Sequence, residues 1–259
     1  MMMYEAITLD IEANIAVLTM NRPAVMNAMN TQMRAEILHA VSYSASAARV
    51  LVLTGAGSAF CSGQDLSDRG VVGKIDLERS LREDYTPMLT AIAESPIPTI
   101  SAVNGPAVGA GANLALSADV VIAADTAYFL QAFTRIGLMP DAGGTFTLPR
   151  SIGMAKAMGA ALFAEKITAQ QAEAWGMIWE VAEPDGFDAL WKQRAAHLAN
   201  GPTVAYQHTK TALRNSLYNR YDQQLMLEAK LQGKCGKTRD FKEGVLGFLQ
   251  KRLPNFEGR

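Results

Sequence analysis

The sequence is poor in the side chains on which many enzymes rely. Its 259 residues hold three histidines, His39, His197 and His208, and two cysteines, Cys61 and Cys235. Two cysteines so far apart form neither a disulfide framework nor a zinc spacing, and they fit a reducing compartment. Three scattered histidines make no metal centre, so no metal is expected. Lys and Arg number 24 against 25 Asp and Glu, a formal net charge of −1. Such a chain has no global field to attract nucleic acid, and an anionic ligand must be gripped locally. Charged residues make up only 19% and apolar residues 49%, which excludes a disordered chain. No apolar run is long enough to span a membrane. The stretch Met1–Asp10 has neither a basic start nor an apolar segment after it. No secretory leader is therefore expected, and the expected location is cytoplasmic.

What is present is an alternation of strands and helices. Ile15–Met20, Val50–Thr54, Thr99–Val103, Val120–Ala123, Ala127–Leu130 and Ile178–Val181 read as short apolar strands. A first helix follows Asn30 or Thr31 as cap, with Met33, Ile37 and Val41 on one face. Gln64–Asp84 is polar and reads as an irregular surface excursion. Leu81, Tyr85, Met88, Leu89 and Ile92 then mark a helix face. Helices are expected from Ala107–Ala112 through Ser117, at Gly153–Phe163, and at Ala169–Trp175, the last capped by Thr168 and stopped by Gly176. Beyond Pro184 the pattern is helical only: Phe187–Ala199, Thr203–Asn215, Tyr221–Leu231 and Phe241–Gln250. The expected class is α/β with a C-terminal helical region. Trp175, Trp179 and Trp191 read as core or subunit contacts.

Three loops could carry chemistry. Asn104–Asn113 is rich in small residues, and Gly109 and Gly111 permit close approach of a ligand. Free N–H groups at a helix start there could hold a negative oxygen; tight helix–strand packing explains the same residues. The third glycine of a dinucleotide fingerprint is missing, since Leu114 stands in its place. The segment Ala59–Leu66 could offer a second N–H. Cys61 has no nearby histidine, and Ser62 is not in a nucleophile elbow, so neither is expected to be a nucleophile. In the third loop, Gly137–Gly144, Asp141 is either a helix cap or a general base. Phe133, Leu138 and Met139 could desolvate it and raise its pKa.

Taken together these segments resemble the crotonase (enoyl-CoA hydratase/isomerase) superfamily. The resemblance is carried by Asn21-Arg22-Pro23 with Asn27-Ala28, by Phe60-Cys61-Ser62-Gly63-Gln64-Asp65-Leu66, and by Asn104-Gly105 with Gly109-Ala110-Gly111. Pro140-Asp141-Ala142-Gly143-Gly144-Thr145 and the ending from Glu243 to Phe256 also match. It implies a spiral of ββα units over residues 1–200, for acyl-CoA binding and catalysis. It also implies a helical region over 201–259, for oligomerisation and pocket cover, in a homotrimer or a dimer of trimers. The substrate would be an acyl-CoA thioester, with coenzyme A part of the substrate and no separate cofactor. Two backbone N–H groups, by motif position those of Ser62 and Ala110, would hold a thioester enolate, with Asp141 as the base. Ala24, Met26, Gln64, Asp65, Leu66, Gly109, Asn113, Phe133 and Pro140 would line the substrate site. Arg22, Lys242 and Lys251 are candidates for the CoA phosphates.

The departures from the family pattern carry information too. Hydratases of the family place glutamates where this chain has Asn113 and Phe133. Asparagine is no base and phenylalanine excludes water, so hydration is disfavoured and isomerisation by one carboxylate is favoured. Val108–Ala112, Gly63–Arg69, Met139–Thr145 and Glu173–Trp179 are most similar to one branch of the family. That branch converts ring-1,2-epoxyphenylacetyl-CoA to oxepin-CoA in bacterial phenylacetate breakdown and also shifts a double bond. A 3-enoyl-CoA to 2-enoyl-CoA isomerase of fatty-acid oxidation, an enoyl-CoA hydratase, and an acyl-CoA-binding member without catalysis stay as alternatives.

Overall fold

The structure, a computed structural model, describes residues 4–68 and 76–259. Strands β1 (Ile7–Glu12) and β2 (Ile15–Met20) form an antiparallel hairpin, turned by Ala13 and Asn14 at φ 49° and 64°. Helix α1 (Thr31–Ala47) follows, then β3 (Val50–Gly55). After the undescribed stretch, α2 (Leu77–Ser80) passes through a π turn, Leu81–Tyr85, into α3 (Thr86–Ala93). Next come β4 (Thr99–Val103), β5 (Ala107–Val108), α4 (Ala110–Ala115), β6 (Val120–Ala123) and β7 (Tyr128–Leu130). They are followed by α5 (Gly144–Phe163), β8 (Ile167–Thr168), α6 (Ala169–Ala174) and β9 (Glu180–Val181). The chain ends in α7 (Phe187–Ala199), α8 (Thr203–Ser216), α9 (Tyr221–Cys235) and α10 (Arg239–Leu249).

The larger sheet has the order β1-β2-β3-β4-β6-β9, parallel except for β1. The smaller one runs β5-β7-β8. Why β3 reads as an unbroken apolar run is visible in its packing. Leu51 and Leu53 enter the main core, while Val50 and Val52 join Ile100, Ala102, Trp191 and Ala195 on the other face. A parallel strand covered on both sides has no polar face to show. Helix α1 is set by Asn30, whose side chain accepts from Met33 N at 2.8 Å; it buries Met33, Ile37 and Val41. Thr168 caps α6 as expected, in a reciprocal pair with Gln171.

Several expectations need correction. The strand β1 was not anticipated, although Ile7, Leu9 and Ile11 alternate with Thr8, Asp10 and Glu12 at the period of a strand. The polar excursion is helical from Leu77 onward, and residues 69–75, including Arg69, lie outside the described residues. The helix expected from Gly153 begins at Gly144 and is broken at Gly153, where φ is 75° and ψ 161°. The last strand is only Glu180–Val181, since Met177 N and Ile178 N both turn back to Ala172 O. Trp191 is core, and the exposure of Trp179 removes only the core half of its reading. Asp119 ties α8 to the sheet: it accepts from Thr99 N, Lys210 Nζ and Arg214. Among the described residues no helix is long and apolar enough to cross a membrane.

Candidate active site

The loops after β3 and β4, two adjacent parallel strands, meet at one end of the larger sheet. The Asn-Arg-Pro segment near the start holds the first loop in place. Asn27, buried at φ 56°, donates from Nδ2 to Ala56 O and Ala59 O and accepts from Arg22 N. Arg22 donates to Ala28 O and to Asp65 Oδ2 at 2.8 Å. Asp65 also accepts from Ser67 Oγ and Ser67 N. The Ser67 bond, ahead of Arg22, holds the Asp65 carboxyl below the usual carboxylate range against the opposing effect of burial. Arg22 thus pins the loop through Nη1, and the Asp65 carboxylate is occupied by loop contacts rather than by substrate, against expectation.

The first loop threads between two neighbours. Cys61 pairs with Ala107: Cys61 N donates to Pro106 O, and Val108 N donates to Cys61 O at 2.9 Å. Ser62 N turns the opposite way and donates to Met26 O at 2.9 Å, while Ser62 Oγ donates to Val25 O. The Ser62 amide therefore cannot be the free oxyanion donor. Gly63, at φ 98°, kinks the chain; a Cβ there would lie 2.9 Å from Val108 O and 3.6 Å from Ala110 N. Beyond the kink, Gly63 O accepts from Met29 N and Asp65 N donates to Met29 O. In such a parallel bridge the N–H of the intervening residue, Gln64, points away from Met29 and toward the side of β5 and α4. Ala110 opens α4 after Gly109, whose φ of 54° and ψ of −125° only glycine adopts readily. The amides of Gln64 and Ala110 make no hydrogen bond to any described residue. These two, rather than Ser62 and Ala110, are the available donors.

Asp141 comes from the loop before α5. Its backbone is fixed by two donors: Gly144 N at 2.8 Å and Asn113 Nδ2 at 2.7 Å. Asn113 Oδ1 in turn accepts from Gln131 Nε2 at 2.9 Å. Asn113, on α4, is fully buried and both ends of its amide are used. It therefore positions the Asp141 backbone, and does not line the substrate site in the way the resemblance implied. The carboxyl itself is different. Its Oδ1 is buried and has no hydrogen-bond partner. Burial pushes its pKa up to about 6, only partly offset by its own backbone N–H. Phe133 and Pro140 are buried nearby in the sequence, but Met139 is 67% exposed and does not provide the expected desolvation. Phe133 also reaches the oxyanion loop: its Cζ is 3.8 Å from the position a Cβ on Gly109 would take.

Cys61 is fully buried, and burial pushes its thiol up to about 12, so it is no nucleophile at neutral pH. Ala24, Met26 and Leu66 are exposed beside the first loop. Lys242, on α10, and Lys251, just after it, are exposed and make no ion pair among the described residues. Sequence reasoning missed Gln131 and the Gln64 amide. Gly144 leaves room for Asn113: a Cβ there would fall 2.3 Å from Asn113 Nδ2. Gly144→Ala is expected to push Asn113 off the Asp141 carbonyl and cost about 10²-fold in kcat, the scale of a 1 Å misplacement. Competition by free CoA, which checks binding, is expected to stay unchanged.

Two free amides and a desolvated carboxyl, linked through Asn113 of α4, are groups suited to hold an oxyanion and to take up a proton. The chain belongs to the enoyl-CoA hydratase/isomerase family, whose model matches residues 10–259. A Rhodobacter capsulatus protein named "probable enoyl-CoA hydratase" is 55% identical over all of both chains. The 1,2-epoxyphenylacetyl-CoA isomerase of Escherichia coli is 44% identical, covering 99% of this chain and 100% of that one. The fold is that of the family: an enoyl-CoA hydratase from Bacillus anthracis superimposes with a TM-score of 0.91 at 28% identity, over 98% of this chain and 100% of the other.

Proposed function

We propose that the protein isomerises an acyl-CoA thioester, with 2-(1,2-epoxy-1,2-dihydrophenyl)acetyl-CoA converted to oxepin-CoA as its main reaction and a related double-bond shift as a second. The observation that carries this reading is the single free carboxyl, Asp141 Oδ1, without a second acid–base side chain at Asn113 or Phe133. Asp141 removes a proton from the carbon beside the thioester carbonyl. The electron pair moves onto the carbonyl oxygen, which the Gln64 and Ala110 amides hold. In a 3-enoyl substrate the proton returns at the far end of the conjugated system. In the epoxide the ring carbon–carbon bond opens to a seven-membered ring, and the proton returns to a ring carbon. No atom is gained or lost in either case.

Hydration is the second reading, favoured by the name of the Rhodobacter relative. It needs a further group to activate water or deliver a proton. Asn113 is locked between Gln131 and the Asp141 carbonyl, and Phe133 is apolar, so this chain is poorly equipped for it. A panel of epoxyphenylacetyl-CoA, a 3-enoyl-CoA and crotonyl-CoA separates the readings. Turnover of the aliphatic 3-enoyl-CoA alone would move the assignment to a fatty-acid isomerase.

The pH dependence has a definite sign. The base works only when ionised, and its pKa is raised to about 6. Isomerase kcat/KM is expected to fall about tenfold per pH unit below 6 and to level off above 7. A profile still rising between pH 8 and 9 would point to another base. The same reading gives residues 201–259 a role in oligomer contacts and pocket cover, in a cytoplasmic homotrimer or dimer of trimers. It also gives Arg22, Lys242 and Lys251 as candidate cations for the CoA phosphates.

A further inference from the structure

Tyr85 closes the π turn between α2 and α3. Its side chain is only 1% exposed, yet its hydroxyl has no hydrogen-bond partner. Buried phenols nearly always find one, and π turns often mark functional positions. The phenol feels the charge of Arg34, Cys61 and Asp141. The Arg34 guanidinium lies 4.8 Å from the ring centroid. Its NH groups are spent on Met29 O, Thr31 Oγ1 and Asp84 Oδ2, and its Nε is unpaired. Desolvation raises the phenol's pKa well beyond its ordinary value; Arg34, by its charge and its approach to the phenol oxygen, offsets this in part, and Cys61 and Asp141 add to the rise. The hydroxyl is therefore a fixed proton donor at any working pH. Arg34 also ties the phenol to the first loop, because Met29 O accepts from both Arg34 and Asp65 N, next to Gln64. Asp141 Oδ1 and Gln131 Oε1 are further buried atoms without a partner among the described residues.

We propose that the Tyr85 hydroxyl donates a hydrogen bond to an oxygen carried on the acyl group of the substrate, beyond the thioester, and so selects oxygenated acyl-CoA molecules over hydrocarbon ones. This rests on the isomerase reading and names the substrate class of that same site. An epoxide or cyclic-ether oxygen accepts such a bond and supplies no donor of its own, which matches a lone O–H. A purely hydrocarbon chain would leave the phenol unpaired in the complex as well.

Tyr85→Phe, measured with epoxyphenylacetyl-CoA and 3-hexenoyl-CoA together with its melting temperature, tests this. Loss of the hydroxyl removes a polar atom that has no protein partner, so Tm is expected to be unchanged or higher. On the epoxide kcat/KM is expected to fall about ten- to a hundred-fold, and on 3-hexenoyl-CoA to stay within about threefold. An equal loss on both substrates, or a lower Tm, would assign Tyr85 a structural role and overturn the proposal. Undiminished turnover of the epoxide by the variant would overturn it as well, while leaving the isomerase reading intact. A wild-type protein inactive on both substrates would overturn the isomerase reading itself.

Discussion

Asp141→Asn is expected to lose about 10²–10⁴-fold in isomerase turnover and, at pH 8, to be more stable than the wild type. The loss follows from chemistry, because the amide cannot take a proton. The gain follows from linkage. An ordinary Asp carboxyl titrates at 3.8, while this one titrates at about 6. The fold thus favours the protonated form. Below pH 3.8 the carboxyl is neutral in both folded and unfolded chains and costs nothing. Between 3.8 and 6 ionisation costs the fold progressively more, and above 6 the cost is complete. A shift of two units corresponds to about 3 kcal/mol, and partial exposure of the group reduces this to about 1–2 kcal/mol. Asparagine has the same shape and never ionises, so it recovers that energy. Thermal unfolding at pH 4 and pH 8 checks it: the gain should be present at pH 8 and nearly gone at pH 4. A variant less stable than wild type at pH 8 would mean that the carboxylate has a partner in the fold. Stability given up at a base is an expected cost of keeping it reactive.

Ala110→Pro is expected to cost about 10²–10³-fold in kcat with little effect on folding. The amide of Ala110 is the first of α4 and has no role in the helix ladder. Proline is well tolerated at that first position, since it removes only an N–H that the helix does not use. Gly109, which precedes it, has no Cβ to clash with the ring. The substitution therefore deletes one oxyanion donor and places a ring carbon where the oxygen would sit. Circular dichroism and the melting temperature should remain close to wild type. A variant with more than a tenth of the original kcat would remove Ala110 from the oxyanion hole.

The parts of this design that sit in contiguous residues were legible beforehand. The apolar runs of β3 and β4, the Asn30 and Thr168 caps and the isolated Asp141 between Pro140 and a glycine pair all carry their reason locally. The strand β1 was missed although its alternation was legible; it lies at the edge of the sheet, where polar side chains are no penalty. The helical stretch at Leu77–Tyr85 was hidden by its charged residues, which pair along the helix surface. The donor at the first loop could not be read from spacing. Whether Ser62 or Gln64 presents its amide depends on the φ of 98° at Gly63, which reverses the side to which the chain points. The Asn113 contact to the Asp141 carbonyl spans 28 residues, and Arg22 reaches Asp65 across 43. Both were first read as ligand-facing, since a long-range partner leaves no local trace in the sequence.

The central claim is that one carboxyl, facing two backbone amides, moves a proton within an acyl-CoA and adds no water. The direct measurement is the mass of the product formed from a 3-enoyl-CoA and from crotonyl-CoA. The account expects the 3-enoyl product to have unchanged mass and a shifted double bond, formation of that product to be lost in Asp141→Asn, and crotonyl-CoA to be left intact. A product one water heavier, formed rapidly from crotonyl-CoA and retained in Asp141→Asn, would contradict it.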